Sequence, residues 1–118
     1  MSFKVQIENE LHKNYWKVIL IDSLNEWWED EHWQIQWKYH MGEQIYIQFI
    51  NDFEDTLRIR EINAIRNLND KNSIITSICM NKRKFNEKLK EFISEIEEYR
   101  KSNENKNIRK IKRNRTSE

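Results

Sequence analysis

The sequence predicts an α+β domain: an antiparallel β-meander of five to six strands over about residues 3–80, then one long C-terminal helix over about 81–100 packed on one sheet face. Three observations carry this. Apolar and polar residues alternate through most of the first 80 positions, the period of half-buried strands. After residue 81 the apolar spacing changes to three and four, the period of a helix. Clusters of Asn and Asp separate the runs in a chain with one glycine and no proline, and these two residues supply turns where glycine is scarce.

The elements follow in order. Residues 3–10 read as a weak strand with Phe3, Val5 and Ile7 on one face. Residues 15–22 are almost continuously apolar (Trp16, Val18, Ile19, Leu20, Ile21), which predicts a central strand covered on both faces. Over 32–39, Trp33, Ile35, Trp37 and Tyr39 face away from His32, Gln34, Gln36 and Lys38. Over 44–50, Ile45, Ile47 and Phe49 alternate with Gln44, Tyr46 and Gln48, and the connection 40–43 holds the only glycine, Gly42. These two strands predict a hairpin. Residues 51–55 read as a turn and 56–62 as a strand setting Leu57 and Ile59 against Arg58 and Arg60; 62–66 fit a further strand or a helical turn, with strand preferred.

Residues 67–72 are the strongest turn signal. The β-branched run 73–80 is a short strand, and Cys79 within it reads as a small core residue rather than a nucleophile. Asn81 is the expected N-cap of the helix, whose stripe is Phe85, Leu89, Phe92, Ile93, Ile96 and Tyr99,. Lys82, Arg83 and Lys84 in its first turn oppose the helix dipole.

A length of 118 residues fits one domain over 1–100, with 101–118 as a basic arm, either frayed helix or disordered tail,. The formal net charge of +1 hides an asymmetry. Residues 1–80 hold 8 Lys+Arg against 13 acids, and residues 81–118 hold 13 against 7. An acidic body with a basic arm marks an interaction tail. A single cysteine excludes an internal disulfide and a Cys-rich zinc site,. The first residues carry no apolar h-region and no window approaches a membrane span, so a cytoplasmic protein without membrane association is expected. Heavy use of Asn, Ile and Lys fits AT-rich coding in a bacterium or a mobile element.

The densest local feature is the run 25–33, with three tryptophans and four acids in nine residues. Trp27, Trp28, Glu29, Asp30 and Glu31 are the candidate protein-binding residues. Trp is enriched at interface hot spots, and surrounding acids steer a basic partner. The competing reading has a tryptophan plugging the core end while the acids solvate a turn. Lys106, Arg109, Lys110, Lys112, Arg113 and Arg115 crowd the arm and are the candidate nucleic-acid contacts, acting through phosphates. No structured nucleic-acid motif accompanies them.

Catalysis is poorly supported. His12, His32 and His40 with Asp30 or Glu31 lack metal-ligand spacing, and Asp22, Glu26 and Asp30 form a carboxylate cluster of the kind expected by coincidence in an acid-rich chain. No metal and no cofactor is expected. The leading expectation is a non-enzymatic inhibitory protein that binds a protein partner, such as a toxin or a defence enzyme. Small immunity proteins and phage-encoded inhibitors share its general profile. The alternative is a nucleic-acid-associated protein acting through the basic arm; a third is a small structural subunit of a larger assembly.

Overall fold

The computed structural model describes residues 3–23, 28–39, 44–52, 58–80 and 84–116, with side chains through Ser102. Five antiparallel strands pair in chain order: β1 (Trp16–Ser23), β2 (Glu29–Trp37), β3 (Gln44–Asn51), β4 (Ile59–Ile65) and β5 (Ile74–Cys79). Helix α1 (Phe3–Lys13) precedes the sheet and α2 (Phe85–Thr116) follows it. The class is α+β. Helix α1 lies along β1, α2 lies along β5, and the two helices touch.

Alternation decides which face the helices cover. Trp33 and Ile35 of β2, Ile45, Ile47 and Phe49 of β3, Ile62 and Ala64 of β4, and Ile78 of β5 form one buried cluster with the helices. The helices contribute Ile7, Leu11, Leu89, Phe92, Ile93 and Ile96, so the stripe read from α2 does pack inward. An aromatic series ties the layers together. Ring centroids are 4.9 Å apart for Trp33–Phe49, 6.2 Å for Phe49–Phe3 and 6.4 Å for Phe3–Phe85. The opposite face is mixed, with Gln34, Gln36, Gln48 and Asn63 beside Leu20, Ile50 and Ile65.

Several sequence expectations are corrected. Residues 3–10 are helix, not strand: Phe3, Ile7 and Leu11 recur every fourth residue and turn inward, while Val5 is exposed. The helix ends where Asn14 Nδ2 donates to the Glu10 carbonyl and Tyr15 takes a left-handed φ of 68°. Strand β1 is not central but an edge, and much of its apolar run faces solvent. Tyr39 lies beyond β2 and is exposed against Trp37 and Tyr15. The two readings over 56–66 merge into one strand, Ile59–Ile65; Thr56 and Leu57, like most of the turn read over 51–55, lie outside the described residues. Helix α2 begins at Phe85, after Lys84 with φ 71°, rather than at residue 81; Asn81, Lys82 and Arg83 lie outside the described residues. Of the two readings of the C-terminal segment, helix or disordered tail, the helical one is seen, with α2 continuing to Thr116. Cys79 is exposed, opposite Glu61 on the mixed face. The hairpin 40–43 lies outside the described residues.

Each ladder contains one register shift, and two of them position the site. In β1 the shift falls between Val18 and Leu20. Trp16, Val18 and Ile21 stand opposite Trp37, Ile35 and Trp33, toward the helices, while Lys17, Leu20 and Asp22 stand opposite Gln36, Gln34 and His32 on the mixed face. In β2 the shift falls between Glu29 and Glu31. Glu29 then opposes Ile50 and Glu31 opposes Phe49. A one-residue bulge thus sends two neighbouring carboxylates to opposite faces.

Candidate functional site

The acidic–aromatic run separates into three fates. Trp27, with Asn25 and Glu26, lies outside the described residues. Trp28 is 39% exposed, and its carbonyl accepts from the Asn51 amide at 2.9 Å, which anchors it to the end of β3. Glu29 is only 2% exposed. Its carboxylate accepts from His32 Nδ1 at 2.8 Å and from Gln48 Nε2 at 2.9 Å, and His32 Nε2 lies 3.6 Å from Asp22. A buried carboxylate is ordinarily satisfied by partners of this kind, and Glu29 lies inside the domain rather than on its surface.

Asp30 and Glu31 meet the Lys4 ammonium of α1, with Asp30 Oδ2 at 2.8 Å and Glu31 also in direct contact. Glu31 also accepts from Trp33 Nε1 at 3.3 Å. These acids clamp α1 to β2, and their field is partly neutralised before any partner arrives. The steering role read from the sequence shrinks accordingly. Burial works to lower the Lys4 pKa, but the hydrogen bonds and charges of Asp30 and Glu31 outweigh it and raise the pKa above its ordinary 10.5. A raised folded-state pKa stabilises wherever lysine is charged in both states, and that stabilisation is lost as pH rises through the folded value. Lys4→Met should therefore lower the urea midpoint by a constant amount from about pH 7 to about pH 10, and the difference from the parent should shrink above about pH 10.5. A difference that widens at alkaline pH would contradict the clamp.

Trp28 belongs to a larger feature. On the mixed face, toward β5, an open groove of about 580 Å³ runs over β3 and β4. Gln48 and Asn63, directly opposed across the ladder, form its floor. Asn63 Oδ1 accepts from Ser77 Oγ at 2.6 Å and Gln48 is held by Glu29, so both amides are fixed in orientation. Trp28, Ile50, Ile65, Leu68 and Ile74 make the walls apolar, and Arg60, Glu61 and Lys71 stand at the edge. Leu68 is presented by a tight turn: Ser73 Oγ accepts from the Asn67 amide at 3.0 Å, and Asp70 Oδ1 accepts from the Asn72 amide at 2.9 Å. Apolar walls over a floor of oriented amides form a recess able to take apolar side chains beside hydrogen-bonding groups,.

Sequence reasoning found Trp28 and missed its companions. Ile50, Leu68 and Ile74 come from separate strands and a turn, and no local pattern joins them. The remaining candidates do not gather into a site. His12 is exposed on α1, and His40 and Glu26 lie outside the described residues. Among the described residues no three His, Cys, Asp or Glu side chains converge on one point. The side chains of Lys106, Arg109, Lys110, Lys112, Arg113 and Arg115 also lie outside the described set. No described helix is long and apolar enough to cross a membrane. No family model, curated protein or solved structure matches the chain.

Proposed function

We propose that this chain is a non-enzymatic protein-binding protein that neutralises a protein partner, in the manner of immunity proteins or phage-encoded inhibitors, with the groove walled by Trp28 as its contact surface. The observation that carries the reading is the exposed Trp28, which lines one groove with Ile50, Leu68 and Ile74. Large aromatic anchors beside a preformed recess are where interface energy concentrates. The use of the nearby carboxylates also favours binding over catalysis: Glu29, Asp30 and Glu31 are committed to Gln48, His32 and Lys4.

Trp28→Ala should weaken the partner complex by at least about 2 kcal/mol, the hot-spot threshold, with little change in melting temperature. Affinity capture from the source cells with the parent chain supplies the partner, and calorimetry on the purified pair measures the loss. A partner that binds parent and variant equally well overturns the groove as the contact surface. A second reading rests on the continuation of α2 through the basic segment to Thr116. If that segment binds nucleic acid, binding should fall steeply with salt through counterion release, whereas a Trp-anchored complex should persist.

A further inference from the structure

Strand β1 lies at the edge of the sheet yet is composed like an interior strand. Ile19, Leu20 and Ile21 are 42%, 54% and 51% exposed in direct succession. Lys17 and Asp22 are the only charges in its eight residues. Edge strands of monomeric proteins are ordinarily shortened, charged or covered, because an open apolar edge pairs with other chains. A helix packs along each edge strand, α1 on β1 and α2 on β5, but of the two only β1 exposes three large apolar residues in succession.

We infer that β1 pairs antiparallel with β1 of a second copy of this chain, about a twofold axis between Ile19 and Leu20, so that two five-stranded sheets join into one. Charge and face together select this register. An isologous contact makes every pairing twice. With the axis at this point, Lys17 falls opposite Asp22 of the second copy and Val18 opposite Ile21. Residues directly opposed across a ladder must point to the same face. Lys17 and Asp22 are five positions apart, so simple alternation would place them on opposite faces. The register shift between Val18 and Leu20 brings both to the mixed face and leaves Val18 and Ile21 together on the helix face. Moving the symmetric register by one residue in either direction opposes mismatched faces. The Lys17 ammonium is in none of the ion pairs among the described residues, and here it gains one. The contact uses no residue of the Trp28 groove.

Sedimentation equilibrium and native mass spectrometry on the full chain test this. The expected mass is twice 14.8 kDa. Lys17→Glu and Asp22→Lys should each weaken dimerisation by at least about tenfold, since like charges then face each other twice. The double variant Lys17→Glu/Asp22→Lys should recover it. Circular dichroism melts show whether each variant remains folded. Should Asp22→Lys fail to fold, a chain carrying Lys17→Cys, Asp22→Cys and Cys79→Ser should form a disulfide-linked dimer on oxidation. A chain that stays monomeric at its highest soluble concentration overturns the inference, because the edge then serves a different protein. So does a dimer indifferent to both single charge reversals, or one that the double variant fails to recover.

Discussion

Trp33→Ala should lower the stability of the domain by about 3–5 kcal/mol, the cost of deleting a large buried aromatic, and reduce its melting temperature by roughly 10–20 °C. Trp33 is 2% exposed. Its ring lies 4.9 Å from Phe49, its Nε1 donates to Glu31, and its ladder neighbours are Ile21 and Ile47. The lost side chain leaves a void between sheet and helices that surrounding strands cannot close without breaking register. The loss also reaches α1, because Phe49 carries Phe3 on its other side and Glu31 carries Lys4. Trp37→Ala is the natural comparison. Trp37 is half-buried at the start of the hairpin, with the Arg100 guanidinium 3.7 Å over its ring, and its removal should cost clearly less. Thermal melts of the two variants decide the matter; a Trp33→Ala protein melting within about 5 °C of the parent would mean the core does not depend on this ring.

Glu29→Ala should cost about 2–4 kcal/mol in urea unfolding, because deleting one member of a buried polar set strands the others. Gln48 Nε2 and His32 Nδ1 each lose an acceptor, and Gln48 is itself buried. Asp30→Ala, removing a partly exposed ion-pair partner of Lys4, should cost no more than about 1 kcal/mol. The contrast matters because the two residues are sequence neighbours of the same charge. If Glu29→Ala proves no more damaging than Asp30→Ala, Glu29 is not the tie between β2 and the groove floor. Any loss of partner affinity in Glu29→Ala should track the loss of folded protein, unlike that of Trp28→Ala.

Where burial and period agree, the sequence was readable. Ile45, Ile47 and Phe49 alternate and are buried; Leu89, Phe92, Ile93 and Ile96 recur helically and are buried. Where two periods fit the same letters, it was not. Phe3, Val5 and Ile7 alternate, but Phe3, Ile7 and Leu11 also stand four apart, and tertiary packing on α2 selected the second pattern. The apolar run of β1 reads as interior because apolarity alone does not distinguish coverage by one's own chain from an open edge. The site was harder still. Alternation assigns Glu29 and Glu31 to one face; the bulge between them does not, and a bulge leaves no composition signal. Trp28 was visible as an unusual residue, whereas the wall it joins exists only after β3, β4 and the turn at Leu68 are brought together.

The chain order of the sheet has a consequence for how the molecule assembles. Every strand pairs with its immediate predecessor, so each ladder closes a short loop at small entropic cost, and such local pairings form early. The helical layer is different. Its first element comes from one end of the chain and its second from the other, and the Trp16–Glu97 hydrogen bond at 2.6 Å joins residues 81 positions apart. Among the described residues, sealing the core therefore joins far more distant parts of the chain than any strand pairing does, and carries the larger loop-closure cost. A clasp of this kind also fails as a unit. When either terminal helix lifts, the other loses its neighbour, and the part of the apolar sheet face beneath the lifted helix is laid open while the strands are still paired.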